Sequence, residues 1–151
     1  MIILAIDPGE INIGFAVIKK GSSADNYRVL DSGLISGGNF KKLADQINLV
    51  IKKNKPDILG IEKIYFYLNK KTALLVSERI GALKLIAQQQ GLKIIEMSPT
   101  EYKSLLTGDG RASKKTVGQI VKMRYKNFSP KSHHEVDALA LATVIMDSLK
   151  Y

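Results

Sequence analysis

The chain has 151 residues, 45% of them hydrophobic, which is the size of one ordinary domain with a full core, and no apolar run nears the roughly 20 residues that span a bilayer. It has no cysteine, which excludes disulfides, thiol catalysis and thiolate metal sites, so a bound metal would rest on Asp, Glu or His and be a hard cation rather than zinc. A formal charge of +9 favours nucleic acid as partner, ahead of an anionic membrane, and a start without signal-peptide character makes a soluble, cytoplasmic protein the expectation.

Ile2 to Ile6 is a short branched apolar run closed by Pro8-Gly9, and Ile13 to Lys19 and Tyr27 to Ser36 follow across turn-rich joints, so the first third predicts three antiparallel strands. After Ser36-Gly37-Gly38 the period changes. Leu43, Ile47, Val50 and Ile51 recur at helical spacing, with Asn39 as cap and Pro56 as stop. Ile58 to Ile61 is a continuous apolar run, expected of a strand covered on both faces, and ends at Glu62. A helix over Thr72 to Gln90 ends at Gly91, and Lys93 to Met97 is a fifth strand. Ser98-Pro99-Thr100-Glu101 is a capping box with proline at the first helical position. A glycine-containing loop over Thr107 to Arg111, a basic helix over Ser113 to Tyr125, and a helix capped by Ser132 and running to the C-terminus complete the chain. The order βββαβαβ followed by helices predicts an α/β, ribonuclease-H-like domain: a mixed five-stranded sheet, three antiparallel strands then parallel ones, flanked by helices.

Charge is unevenly spread. From Gly110 to His134 there is no acid, while Arg111, Lys114, Lys115, Lys122, Arg124, Lys126 and Lys131 all fall there, which reads as a basic face. Three acids stand where propensity would not put them. Asp7 closes the first strand and Glu62 the central one, so parallel neighbours would bring the two together. Asp137 lies in a helix apolar nearly all round, where an ionised side chain needs compensation. A divalent cation shared by the three supplies it. His134, three residues before Asp137, shares its helix face as fourth ligand or proton shuttle, while His133 points elsewhere and Glu135 serves as capping partner of Ser132.

Taken together these residues resemble the RuvC family of bacterial Holliday-junction resolvases, and the resemblance extends from the first strand to the last helix. Ile6-Asp7-Pro8-Gly9 with Gly14 is similar to the family's first motif, and Ile61-Glu62-Lys63-Ile64-Tyr65 with Asn69, Ala73 and Leu74 to its second. Gly108-Asp109-Gly110-Arg111-Ala112-Ser113-Lys114 is similar to its loop and helix start, and His134 to Ala140 to its last motif. The resemblance implies a metal site at Asp7, Glu62, His134 and Asp137, the third being Asp in some members and His in others. It implies two Mg²⁺ ions, with Mn²⁺ as substitute, about 3.5 to 4 Å apart as in two-metal phosphodiester hydrolysis, and 5′-phosphate and 3′-hydroxyl ends.

For DNA binding the resemblance implies an aromatic residue that meets the bases, at Tyr65 or its neighbours Phe66 and Tyr67, together with Asn69 and Lys70. Lys103 and Lys114, with Lys115 as the alternative register, match basic positions near the scissile phosphate, and Arg111 of the glycine-containing loop is a further DNA-binding candidate. The substrate implied is four-way junction DNA cut by paired symmetric nicks, and the partners are a second copy of the chain and the RuvAB branch-migration complex. In the dimer helix Val76, Ile80, Leu83 and Ala87 form one apolar stripe and Leu75, Ala82 and Ile86 another, enough to pack on the sheet and on a symmetry mate. One departure is Ile80 in place of the arginine usual before the helix glycine, with Arg79 one place earlier.

Three rival functions compete with this one. An actin-like or Hsp70-like ATPase shares the strand-end acid but needs two lobes, and the length of one lobe argues against it. A non-catalytic junction-binding module would not keep every acid. Another ribonuclease-H-like nuclease, transposase-like or cutting structured RNA, is the closest competitor.

Overall fold

The computed structural model describes residues 1–21, 27–63, 70–126 and 128–149. Strands β1 (Ile2–Asp7), β2 (Asn12–Lys20) and β3 (Tyr27–Ser36) form the expected antiparallel meander, followed by α1 (Phe40–Asn54), β4 (Ile58–Glu62), α2 (Lys70–Gln89), β5 (Lys93–Met97), α3 (Pro99–Thr107), α4 (Lys114–Arg124) and α5 (His133–Ser148). The sheet order is β3-β2-β1-β4-β5, with β1 antiparallel to β2 and parallel to β4, and β4 parallel to β5.

The apolar runs of β1 and β4 are explained by their central place. Leu4 and Ile6 of β1 join one core layer with Leu59 and Ile61 of β4 and the inner faces of α1 and α2. Ile3 and Ala5 face the other layer, filled mainly by α5. Every residue from Ala138 to Met146 is buried, because α5 lies on the sheet and is itself covered by α3 and α4. That is why its sequence lacks an outward polar stripe. It also lies close: a Cβ at Gly60 of β4 would come 2.4 Å from Ile145 Cδ1.

The helix starts follow their capping residues. Asn39 accepts from the Lys42 amide, and Ser98 and Glu101 form the full reciprocal box ahead of α3. At α5 only half of the expected box is present. Ser132 accepts from the Glu135 amide, but the buried Glu135 carboxylate accepts from the Lys131 amide at 2.6 Å, one residue further back. The last helix stops at Ser148 rather than running to the chain end.

Helix α2 begins two residues earlier than predicted, and its two stripes need redrawing. Val76, Ile80, Leu83, Ile86 and Ala87 all belong to the core, so Ile86 is not on an outward stripe. Leu75 and Ala82 are half-buried, and the exposed apolar side chains are Leu74 and Leu85, at 67% and 55% exposure. They flank Gly81, beside which a Cβ would meet nothing within 4 Å. No helix among the described residues is long and apolar enough to cross a membrane.

Candidate active site

Asp7 is the last residue of β1, and the register Ile6↔Ile61 puts Glu62, the last residue of β4, beside it at the same sheet edge. Helix α5 starts over that edge. His134 and Asp137 are one turn apart on it, and His134 Nδ1 lies 2.6 Å from Asp7 Oδ2. Asp137 is 9% exposed. Side chains from three segments remote in sequence are therefore brought to one end of two parallel strands.

Their electrostatics show that they share one field. Burial pushes the Glu62 carboxyl up to about 8, and the charges of Asp7 and Asp137 add to the shift. A hydrogen bond from Tyr102 and the charge of Lys103 work the other way. Asp137 is raised by burial and then by Asp7, with Lys114, Lys103 and His134 opposing. Asp7 is raised by burial, opposed by its hydrogen bond to His134 and by the charges of His134 and Lys114. Carboxylates placed so that ionising one makes another harder to ionise form a site that positive charge would stabilise.

The donor set, three carboxylates and an imidazole, suits a hard divalent cation. As the side chains stand, no group of three His, Asp or Glu among the described residues is arranged to hold one. Asp7 turns an oxygen to His134 instead.

Of the basic residues singled out in the sequence, Lys103 is half-buried and its charge acts on Glu62 and Asp137, while Lys114 is exposed and acts on Asp7 and Asp137. Lys114 and Lys115 also line a cleft of about 590 Å³ between α4 and the start of α5. Lys122, Lys131, Gln119 and His133 share that cleft, and no acid lines it. Arg111 is exposed on the loop before α4, its amide bonded to Asp109 Oδ1 at 2.8 Å, and it is not part of the cleft lining. Lys70 is exposed at the first turn of α2. Tyr65, Phe66, Tyr67 and Asn69 lie outside the described residues.

Two residues of this region are not marked by the sequence. Tyr102 is buried at 1% exposure against Glu62, and its hydroxyl is held protonated by burial and by the three nearby carboxylates. Nothing in its sequence context separates it from a core tyrosine. Arg79, which the sequence marks only as a displaced arginine, reaches from α2 to the carbonyls of Gly9 and Glu10, just beyond Asp7.

The family described as crossover junction endodeoxyribonuclease RuvC matches residues 3–145 of this chain. The crossover junction endodeoxyribonuclease RuvC of Borrelia turicatae is 37% identical over 94% of this chain and 93% of its own length. That of Halothermothrix orenii is 35% identical over 94% and 90%. Among solved structures, Thermus thermophilus RuvC in complex with a Holliday junction substrate superposes with a TM-score of 0.90 at 23% identity, covering 99% of this chain and 95% of that one. The fowlpox virus resolvase in complex with Holliday junction DNA gives 0.68 at 16% identity, covering the whole of both chains. These superpositions show a shared ribonuclease-H-like fold.

Proposed function

Because this chain belongs to the RuvC family of crossover junction endodeoxyribonucleases, we propose that it resolves four-way DNA junctions by metal-dependent hydrolysis of one phosphodiester in each of two symmetric strands. The observation that carries the reading is the meeting of Asp7, Glu62 and Asp137, the charge of one raising the pKa of another, at a sheet edge beside an acid-free basic cleft. The lysine charges opposing the three carboxylates are those of Lys103 and Lys114, fewer than the acids they face, and a bound cation would supply the rest.

Asp7, Glu62 and Asp137 would hold Mg²⁺ or Mn²⁺, two ions per site, with His134 as the fourth ligand or as a base. When bound, the ions supply activation of the attacking water and charge for the leaving 3′-oxygen, giving 5′-phosphate and 3′-hydroxyl ends. The rest of the work belongs to side chains of the chain itself. His134, with part of its ring in solvent and Nδ1 on Asp7, is placed to take a proton from the site to bulk. Lys103 and Lys114 oppose the negative charge that grows on the phosphate in the transition state. The cleft lysines bind backbone by displacing its counterions, without regard to sequence.

Selection of a junction over duplex requires two such sites at a fixed spacing, which a two-fold dimer provides. The exposed Leu74 and Leu85 on α2, on one strip with Gly81 and the exposed Glu78, supply a face for it. By resemblance to the family, the dimer acts in the cytoplasm with the RuvAB branch-migration complex.

The test is a labelled four-way junction, duplex, flap and RNA hairpin incubated with the protein in Mg²⁺, with Asp7→Asn as control. Paired symmetric nicks on the junction, absent from the control, are the expected result. Preferential cutting of the hairpin, duplex or flap would move the protein to the competing nucleases of the same fold. Tight binding without cleavage would make it a non-catalytic module.

A further inference from the structure

Arg79 is 3% exposed, although an arginine held that far from water normally stands against a carboxylate. Here the hydrogen-bond partners are two backbone carbonyls: Nη1 donates to Gly9 O at 2.9 Å and to Glu10 O, while Nε makes no hydrogen bond among the described residues. Both carbonyls belong to the turn that leaves β1 after Asp7, and the same turn is closed by the Gly9 amide on Asp7 O at 3.0 Å. The turn in turn lies against His134, since a Cβ at Gly9 would come 2.9 Å from His134 Cε1. On its far side Arg79 is covered by Gly37, where a Cβ would come 2.5 Å from the guanidinium Cζ.

From this arrangement we infer that Arg79 is a positioning residue of the active site, acting through the Gly9–Glu10 turn to hold His134 and Asp7 in their mutual orientation. The inference rests on the functional reading above and adds to it a residue that touches neither substrate nor metal. The buried cation is costly and is placed where only the turn profits from it. A core role alone would be served by an apolar side chain, as Val76, Ile80 and Leu83 serve the rest of that helix face.

The test compares Arg79→Met, which keeps an unbranched, buried stem but leaves both carbonyls unpaired, with Arg79→Lys, whose ammonium can serve both carbonyls. Three quantities are read in the full-length protein: junction affinity in EDTA, the Mg²⁺ concentration that half-saturates cleavage, and the His134 Cε1–H resonance in metal-free protein. Arg79→Met is expected to bind the junction as wild type does, to raise half-saturating Mg²⁺ by about tenfold or more, and to shift or broaden the His134 resonance. Arg79→Lys should recover most of both effects. Wild-type values of both in a folded Arg79→Met protein overturn the proposal, because Arg79 would then be only a clamp in the fold.

If Arg79→Met does not fold, Gly37→Ala decides. Its methyl group displaces the guanidinium without removing the charge, so it should shift the same resonance and the same Mg²⁺ requirement, and wild-type values there overturn the proposal equally. A wild-type protein that leaves junctions uncut would sink the functional reading instead, and the metal-free resonance would still decide the role of Arg79.

Discussion

Gly14 lies directly beneath His134: a Cβ at position 14 would stand 2.3 Å from the His134 carbonyl oxygen and 2.6 Å from its Cβ. Gly14 is also the residue that pairs with Asp7 across β1 and β2. The backbone of one acid's strand partner is thus the floor on which the fourth side chain of the site rests. Gly14→Ala has to lift the start of α5 from the sheet. It is expected to lower stability by about 1 to 3 kcal/mol, as overpacking does, and to lower metal-dependent cleavage in the fraction still folded. Denaturant unfolding and single-turnover cleavage measure the two effects. A Gly14→Ala protein of unchanged rate would mean that the start of α5 is not part of the active geometry.

The acid cluster predicts an inverted pH dependence for the metal-free protein. Glu62 is raised in the folded state to about 8 from 4.5, and Asp7 and Asp137 are raised as well. A group whose folded pKa lies above its unfolded value binds protons more tightly when folded, so its contribution is present at low pH and lost as pH rises through the folded pKa. Without metal, stability attributable to Glu62 should therefore fall between about pH 4.5 and 8, and Mg²⁺ should restore it most at the upper end. Glu62→Gln should flatten both dependences. Thermal melts across that range, with and without Mg²⁺, read the effect directly; a stability rising with pH over the window would contradict the shared field.

Much of this site is legible in the sequence because its residues sit at points where local rules are broken. An acid at the end of an apolar strand, twice, and one inside an all-apolar helix are conflicts between pattern and chemistry, and such conflicts mark function. The sheet is legible for the opposite reason: apolar runs, caps and turn residues agree along the chain, and even the reciprocal cap at Ser98 and Glu101 is present as written. Arg79 and Tyr102 are not legible, since their meaning depends on which distant segment they face. Periodicity places Arg79 on a helix face but cannot say that the Gly9–Glu10 turn lies opposite. The division of α2 fails for a related reason. Ile86 and Leu85 are adjacent in sequence, and only the seating of the helix on the sheet decides which of them turns outward.

Asp7→Asn should separate binding from cleavage. The substitution removes one charge from a cluster that repels phosphate when no metal is present, and keeps a side chain of the same size. Cleavage is expected to fall by at least about two orders of magnitude, the scale on which losing a preorganised charge group acts. Junction affinity in EDTA should stay equal or increase. An Asp7→Asn protein that still cuts at the wild-type rate would remove Asp7 from the metal site.

The basic cleft makes a prediction about salt. Lys122 and Lys131 line it with Lys114 and Lys115, yet neither Lys122 nor Lys131 figures among the charges acting on the three acids. Neutralising either should weaken junction binding without changing the rate at saturating protein. Each phosphate left without its lysine should reduce the slope of log affinity against log salt by about 0.9. Filter binding of Lys122→Gln and Lys131→Gln over a range of NaCl gives the slopes. Slopes equal to wild type would mean that the DNA follows another face of the protein.

The outward stripe of α2 decides the quaternary proposal. Leu74, Gly81 and Leu85 fall within one narrow strip at helical spacing, with the exposed Glu78 to one side of it, the two leucines are mostly exposed, and a Cβ at Gly81 would meet nothing within 4 Å. In a two-fold contact each residue near the axis meets its own copy, so a charge introduced there faces a like charge. Leu85→Glu should therefore give a monomer at micromolar concentration by sedimentation or light scattering, with an unchanged melting transition for the isolated fold. Its active-site residues are untouched, because α2 turns Leu85 away from the core. Cleavage should consequently change in kind: paired nicks on opposite strands should give way to rare, uncoordinated single nicks. A Leu85→Glu protein that stays dimeric and still makes paired nicks would place the two-fold contact elsewhere on the surface.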